Sequence, residues 1–230
     1  LSQREVYWGI PMIRSVGDVD DIALFIPYIF VDNPWSMTCG NTVIGYPKQL
    51  AWFQIGGPLE NPYPIKIDTS VFVKYSPNTP QTWQLLTQIQ NPGLLAPLDV
   101  PKSATQAWPF GDLDRIFGPG GDFPLDGKIL DLFKAEPGTY GAVQLKQFRN
   151  AVNITEASYQ ALVSCKVYVA PGGSFGPLPN ASIEIPAYDS LNIASELGLI
   201  SADGSTFQPI IPFWMSCDFN CQDFQEIPLP

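Results

Sequence analysis

A mainly β, β-rich α+β fold with a few short helices is what this 230-residue sequence predicts, and three observations carry that expectation. Pro (24) and Gly (19) together make up nearly a fifth of the residues and cut the chain into short segments, which suits strands better than long helices. Several segments are rich in Val, Ile, Phe, Tyr and Trp and are bounded by polar or Gly/Pro turns, as strands are. Hydrophobic residues are 45% and charged residues 15%, a globular composition able to bury a sizeable core.

Residues 5–13 and 22–32 read as strands, separated by a polar turn over 15–21. Residues 42–46 and 51–55 flank Pro47-Lys48, and 65–74 alternate in part, as a half-buried strand does. From 75 to 127 the chain is dense in Pro, Gly, Trp and Asp. Gln81–Gln90 reads as one short helix, Leu125–Ala135 as a short helix or strand, and the rest as long loops able to form a lid. Residues 140–149 and 158–170 read as strands, Pro171-Gly172-Gly173 as a turn, and 188–198 as the best helix, closed by Gly198. An apolar strand over 207–215 leads into Cys217. With no internal repeat and no clear linker, residues 1–230 read as a single domain carrying a Pro/Gly/Trp-rich loop insertion around 75–135.

The chain has no histidine, which removes Ser-His-Asp and Cys-His machinery, His-ligated zinc and imidazole acid–base catalysis. Chemistry must then come from carboxylates, lysine, tyrosine, cysteine or backbone groups. A net charge of −10 and a pI near 4.3 argue against nucleic acid or an anionic membrane as partner. No apolar run reaches the roughly 18 residues of a membrane span.

Four cysteines (Cys39, Cys165, Cys217 and Cys221) allow three full pairings, among which sequence does not choose; Cys217 and Cys221 form a candidate disulfide. Asn153-Ile154-Thr155 and Asn180-Ala181-Ser182 are N-glycosylation sequons, so Asn153 and Asn180 are candidate modification sites. The chain opens with Leu1, which fits either processing or an N-terminus that was not captured; the expected compartment is cytoplasmic, or secreted after processing.

Lys48 follows a tight Pro47 and lies among apolar stretches, so its ammonium is expected to be poorly hydrated. Desolvation disfavours the charged form of a lysine, and a neutral amine is a nucleophile suited to imine chemistry. The surrounding residues carry a resemblance. Glu5, Ile10-Pro11, Ile26-Pro27-Tyr28-Ile29-Phe30-Val31-Asp32-Asn33 and Gly45-Tyr46-Pro47-Lys48-Gln49-Leu50 together resemble the core of the acetoacetate decarboxylase-like superfamily. The likeness is strong over 1–55, faint over about 140–215 and absent over 75–135.

The resemblance implies an antiparallel, barrel-like sheet with an interior lysine that forms a Schiff base with a β-keto acid. It makes Lys48 the imine-forming residue and Glu5 a pocket carboxylate. Tyr46, Tyr28 and Gln49 are then candidate pocket residues. The implied function is a Schiff-base lyase acting on a small keto acid, by decarboxylation or aldol/dehydration chemistry. No cofactor and no metal are implied, and a homo-oligomer is expected.

Two departures stand out. Gln49 replaces the second lysine typical of the decarboxylases, and acetoacetate decarboxylase is itself the standard example of a lysine activated by a neighbouring cation. The family's front segment, which supplies an arginine and a second glutamate, has no match, and neither Arg4 nor Arg14 aligns to that arginine. The alternatives are a non-catalytic relative binding a small carbonyl or apolar ligand, or a structural or secreted scaffold.

Overall fold

The computed structural model describes residues 2–16, 19–56, 64–90, 98–99, 139–153, 155–169, 174–177, 181–199, 206–207, 213–216 and 218–227. Two long strands, β1 (Glu5–Val16) and β2 (Val19–Val31), open the chain as an antiparallel hairpin. A short helix α1 (Pro34–Cys39) runs into a π-turn (Gly40–Ile44), and β3 (Lys48–Ile55), β4 (Ile65–Val71) and β5 (Thr82–Gln90) follow as an antiparallel meander. After a two-residue β6 (Leu98–Asp99) come the long hairpin strands β7 (Thr139–Arg149) and β8 (Ala157–Val169). The remaining elements are β9 (Ser174–Pro177), β10 (Ser182–Glu184), a single-turn helix α2 (Ile193–Glu196), β11 (Thr206–Phe207), β12 (Phe213–Ser216) and β13 (Phe219–Ile227).

The main sheet runs in the order β11-β10-β5-β4-β3-β2-β7-β8-β13, with β1 beside β2. Its β-rich character matches the sequence expectation. It is also mostly antiparallel, as expected, with two departures: among the described residues the sheet is not closed, and β2 pairs in parallel with both β3 and β7.

The reason lies in β2. A strand has two edges, and β1 occupies one of them along nearly the whole length of β2. β3 pairs with Ile29–Val31 and β7 with Ala23–Phe25, so both share the second edge and leave Ile26–Tyr28 between them without a strand partner there. Pro27 sits in that gap, where its missing N–H costs no ladder bond. The β1–β2 register also slips between Trp8 and Ile10, so β2 carries an extra residue opposite the slip. The sheet therefore forks at Pro27.

Two apolar clusters pack on opposite faces of β2. Leu24, Ile26, Ile29 and Val31 join Tyr46, Ala142, Cys165 and Val167 on one face. Phe30, fully buried, joins Ala51, Ile67, Val71, Leu86, Ile185, Leu191 and Ile193 on the other.

Several local expectations are corrected. The helix expected over Gln81–Gln90 is instead the interior strand β5, so the expected loop insertion around 75–135 contains a core strand; Leu125–Ala135 lies outside the described residues. Leu86 and Thr87 of β5 are 1% exposed, and burial between β4 and β10 overrides the helix preference of Leu and Gln. The helix expected over 188–198 shrinks to α2, stopped at Gly198, whose φ is +65°. The strand expected over 207–215 is two separate pieces, β11 and β12, in different sheets.

Candidate active site

Lys48 is the first residue of β3 and is only 8% exposed. Opposite Ile29 in the parallel ladder, it lies where the sheet forks. Its backbone is clasped by one side chain: Asn41 Oδ1 accepts from the Lys48 N–H at 2.8 Å, and Asn41 Nδ2 donates to the Lys48 carbonyl at 2.9 Å. Asn41 belongs to the π-turn, an irregularity often found at functional positions. That turn ends at Gly45, whose φ of +87° and approach to Lys146 (an added Cβ would stand 2.7 Å from Lys146 Cβ) both require glycine.

Among the described residues the amine itself has two partners. Lys48 Nζ donates to Ser36 Oγ at 2.8 Å and to Glu5 Oε2 at 3.2 Å. Ser36 is held by the start of α1, where Asn33 is the N-cap and Pro34 begins the helix. Asn33 Oδ1 accepts from Trp35 N at 2.9 Å and Ser36 N at 3.1 Å. Asn33-Pro34 is thus a helix start that presents Ser36 to the lysine. Glu5 pairs with Val31 across the hairpin and also accepts from Gln3 Nε2 at 2.7 Å. Burial raises the Glu5 pKa above the ordinary carboxylate range, with the charge and hydrogen bond of Lys48 acting against it.

Tyr46 is buried beneath the amine, its ring centroid 5.8 Å from Lys48 Nζ. Its hydroxyl lies 3.7 Å from Cys165 Sγ, and burial pushes its pKa up. Cys165 also meets the Cys221 thiol. The hydrogen bond from Cys221 brings Cys165 down to about 7 against the opposing effect of burial, and the same bond pushes Cys221 up.

Of the residues expected from sequence, the structure brings Lys48, Glu5 and Tyr46 together. Gln49 and Tyr28 stand elsewhere. Gln49 is exposed, because neighbours along a strand point to opposite faces and Lys48 takes the inner one. Tyr28 packs with the second apolar cluster and its hydroxyl donates to Glu196. Arg4 is 4.0 Å from Asp32, away from the lysine, and the Arg14 side chain lies outside the described residues.

Cys221 is a free thiol beside Cys165; Cys217, its expected disulfide partner, lies outside the described residues, as does Asn180. Asn153 is exposed in the β7–β8 connection, its Oδ1 accepting from the Thr155 hydroxyl at 2.7 Å. A depression lined by Phe72, Tyr75, Ser76 and Pro77 contains none of the lysine's neighbours.

Ser36, Asn41 and Cys165 are residues around the amine and Tyr46 that sequence reading missed. Only Ser36 had a usable signal, the Asn33-Pro34 helix start.

No protein-family model matches the chain, and no curated protein matches it in sequence. Solved structures do match. The crystal structure of acetoacetate decarboxylase from Legionella pneumophila superposes with a TM-score of 0.53 at 14% identity, over 98% of this chain and 67% of that one. A second acetoacetate decarboxylase structure has a TM-score of 0.41 at 12% identity, over 94% of this chain and 66% of that one. The first of these likenesses gives the fold as acetoacetate decarboxylase-like. At this identity the likeness establishes architecture.

Proposed function

We propose that this protein is a Schiff-base lyase that acts on a small oxo acid through Lys48, by decarboxylation or by aldol/dehydration chemistry. The observation that carries the reading is a buried lysine amine, on an acetoacetate decarboxylase-like fold, held 3.2 Å from a carboxylate whose proton affinity is raised by burial.

That pairing supplies what the first step needs. A nucleophilic lysine must give up a proton, and Glu5 is placed to take it, since a neutral pair avoids the cost of burying two charges. The free amine adds to the ketone carbon. The resulting carbinolamine, with a proton returned from Glu5, loses water to give an iminium. The bond to the carboxylate carbon then breaks, carbon dioxide leaves, and the electron pair moves into the iminium to form an enamine. Protonation at carbon and hydrolysis by water release the ketone and restore the amine. Ser36 Oγ, 2.8 Å from Nζ, orients the lone pair.

Gln49, exposed on the other face of β3, contributes no second cation to the site. The exposure of Trp35 (72%), Trp52 (66%) and Trp83 (55%) supports the accompanying proposal of a homo-oligomer.

The experiment is inactivation by borohydride in the presence of short 3-oxo acids, with carbon dioxide release measured in parallel. The reading expects substrate-dependent, irreversible labelling with a mass increase equal to the reduced imine. Labelling independent of substrate, or none with any oxo acid, rejects it.

A further inference from the structure

Gln144 is 2% exposed, and its side-chain Nε2 has no hydrogen-bond partner among the described residues. A buried amide N–H left unmade is costly, and native proteins seldom retain one without a use for it. Its position is informative. The β2–β7 ladder ends with Leu24 opposite Ala142 and Phe25 opposite Val143, and one more step sets Gln144 beside Ile26. Lys48 faces Ile29 on that same edge of β2. Gln144 and Lys48 therefore stand on the two arms of the fork, separated by about 10 Å of strand at ~3.3 Å per residue.

The face is also the right one. Residues two apart on a strand share a face, so Gln144 lines up with Ala142 and Lys146. Ala142 pairs with Cys165 and packs in the cluster that holds Tyr46. Lys146 lies against Gly45 and donates through Nζ to the Val43 carbonyl at 2.9 Å. Gln144 is thus bracketed, before and after, by residues that touch the segment leading into Lys48.

We infer that the Gln144 carboxamide is the hydrogen-bond donor for the carboxylate of the small oxo acid, an assignment that rests on the Lys48 reading for the fate of the ketone but not for the binding of the acid. A neutral donor suits the role. It orients the carboxylate across the fork while the ketone reaches the amine, without the strong ground-state hold of a cation on a group that must leave as neutral carbon dioxide. Among the described residues the donor is unmatched, and the acid supplies the missing acceptor.

Two measurements on Gln144→Leu test this. In the first, the concentration of 3-oxo acid giving half-maximal borohydride labelling rises about 10-fold to 100-fold, the usual loss for a hydrogen bond to a charged group, while labelling by a neutral ketone of the same size is unchanged. The second needs no amine chemistry. Butanoate raises the melting temperature of the wild type, butanamide does not, and the butanoate effect is absent in Gln144→Leu, whose ligand-free melting temperature is equal to or above that of the wild type.

Gln144→Glu, which keeps the volume and replaces the donor by an acid, also loses the butanoate effect and serves if the leucine variant does not fold. The inference is overturned if butanoate stabilises wild type and variant alike or stabilises neither, or if labelling is equally sensitive in both. Absence of labelling in the wild type, with the butanoate difference intact, would instead reject the Lys48 chemistry and leave the carboxylate site standing.

Discussion

Lys48→Met gives no borohydride-trapped adduct with any oxo acid, and it makes stability more sensitive to pH. Methionine fills the volume of the lysine stem but supplies no nucleophile, so the labelling goes to zero while the fold persists. The stability effect comes from Glu5. In the wild type, burial raises its pKa and Lys48 partly offsets that rise. Without the lysine the offset is gone and the folded-state pKa climbs further. Between the unfolded value and this raised one the native state binds the proton more tightly, so stability falls as pH rises through that window.

The variant is accordingly weakened by about 1–3 kcal/mol at pH 8, below the 3–5 kcal/mol of a fully buried pair because Glu5 can protonate, and it recovers toward pH 5. Adding Glu5→Gln to Lys48→Met removes the pH dependence. Urea denaturation at several pH values measures it; a variant equally stable from pH 5 to 8 contradicts the pairing.

Gly40→Ala is expected to do as much damage to the site from a residue that carries no chemistry. Gly40 follows α1 at the start of the π-turn, with ordinary helical angles (φ −58°, ψ −50°), so alanine is no strain on its backbone and gains up to about 1 kcal/mol of helix propensity. Its side chain is the problem. A Cβ there would stand 2.5 Å from Lys48 Cδ, 2.9 Å from Cε and 3.0 Å from Cγ. The lysine cannot step aside freely, because its backbone is held by Asn41 and its amine by Ser36 and Glu5.

Overpacking of this kind costs about 1–3 kcal/mol, which outweighs the propensity gain. Displacing the amine by an ångström is worth about 100-fold in adduct formation. The diagnostic is the double variant: in a Lys48→Ala background the space is empty, and Gly40→Ala becomes neutral or stabilising. Equal destabilisation in both backgrounds would place the clash elsewhere.

The parts of the fold that were legible in the sequence are those whose burial is continuous and local. The apolar runs that became β1, β2, β7 and β8 announced themselves by composition. β5 did not, since Thr82-Trp83-Gln84-Leu85-Leu86 reads equally as helix until β4 and β10 enclose it. β13, with most of its side chains exposed along the sheet edge, had no apolar pattern to find. At the site, Lys48 and Glu5 were found through motif resemblance, and the ladder brings them together. Gln49 was drawn in by adjacency in sequence, which in a strand means opposite faces. Ser36 reaches the amine through a helix cap, and Gln144 stands on the other arm of a forked sheet, neither of which a linear reading resolves.

The central claim is that one buried amine, among eight lysines, is the nucleophile. Peptide mapping of the protein after reduction with borohydride in the presence of a 3-oxo acid tests it most directly. The account predicts a single modified peptide with the added mass on Lys48. Adducts spread over exposed lysines such as Lys66 and Lys74, with Lys48 unmodified, would contradict it.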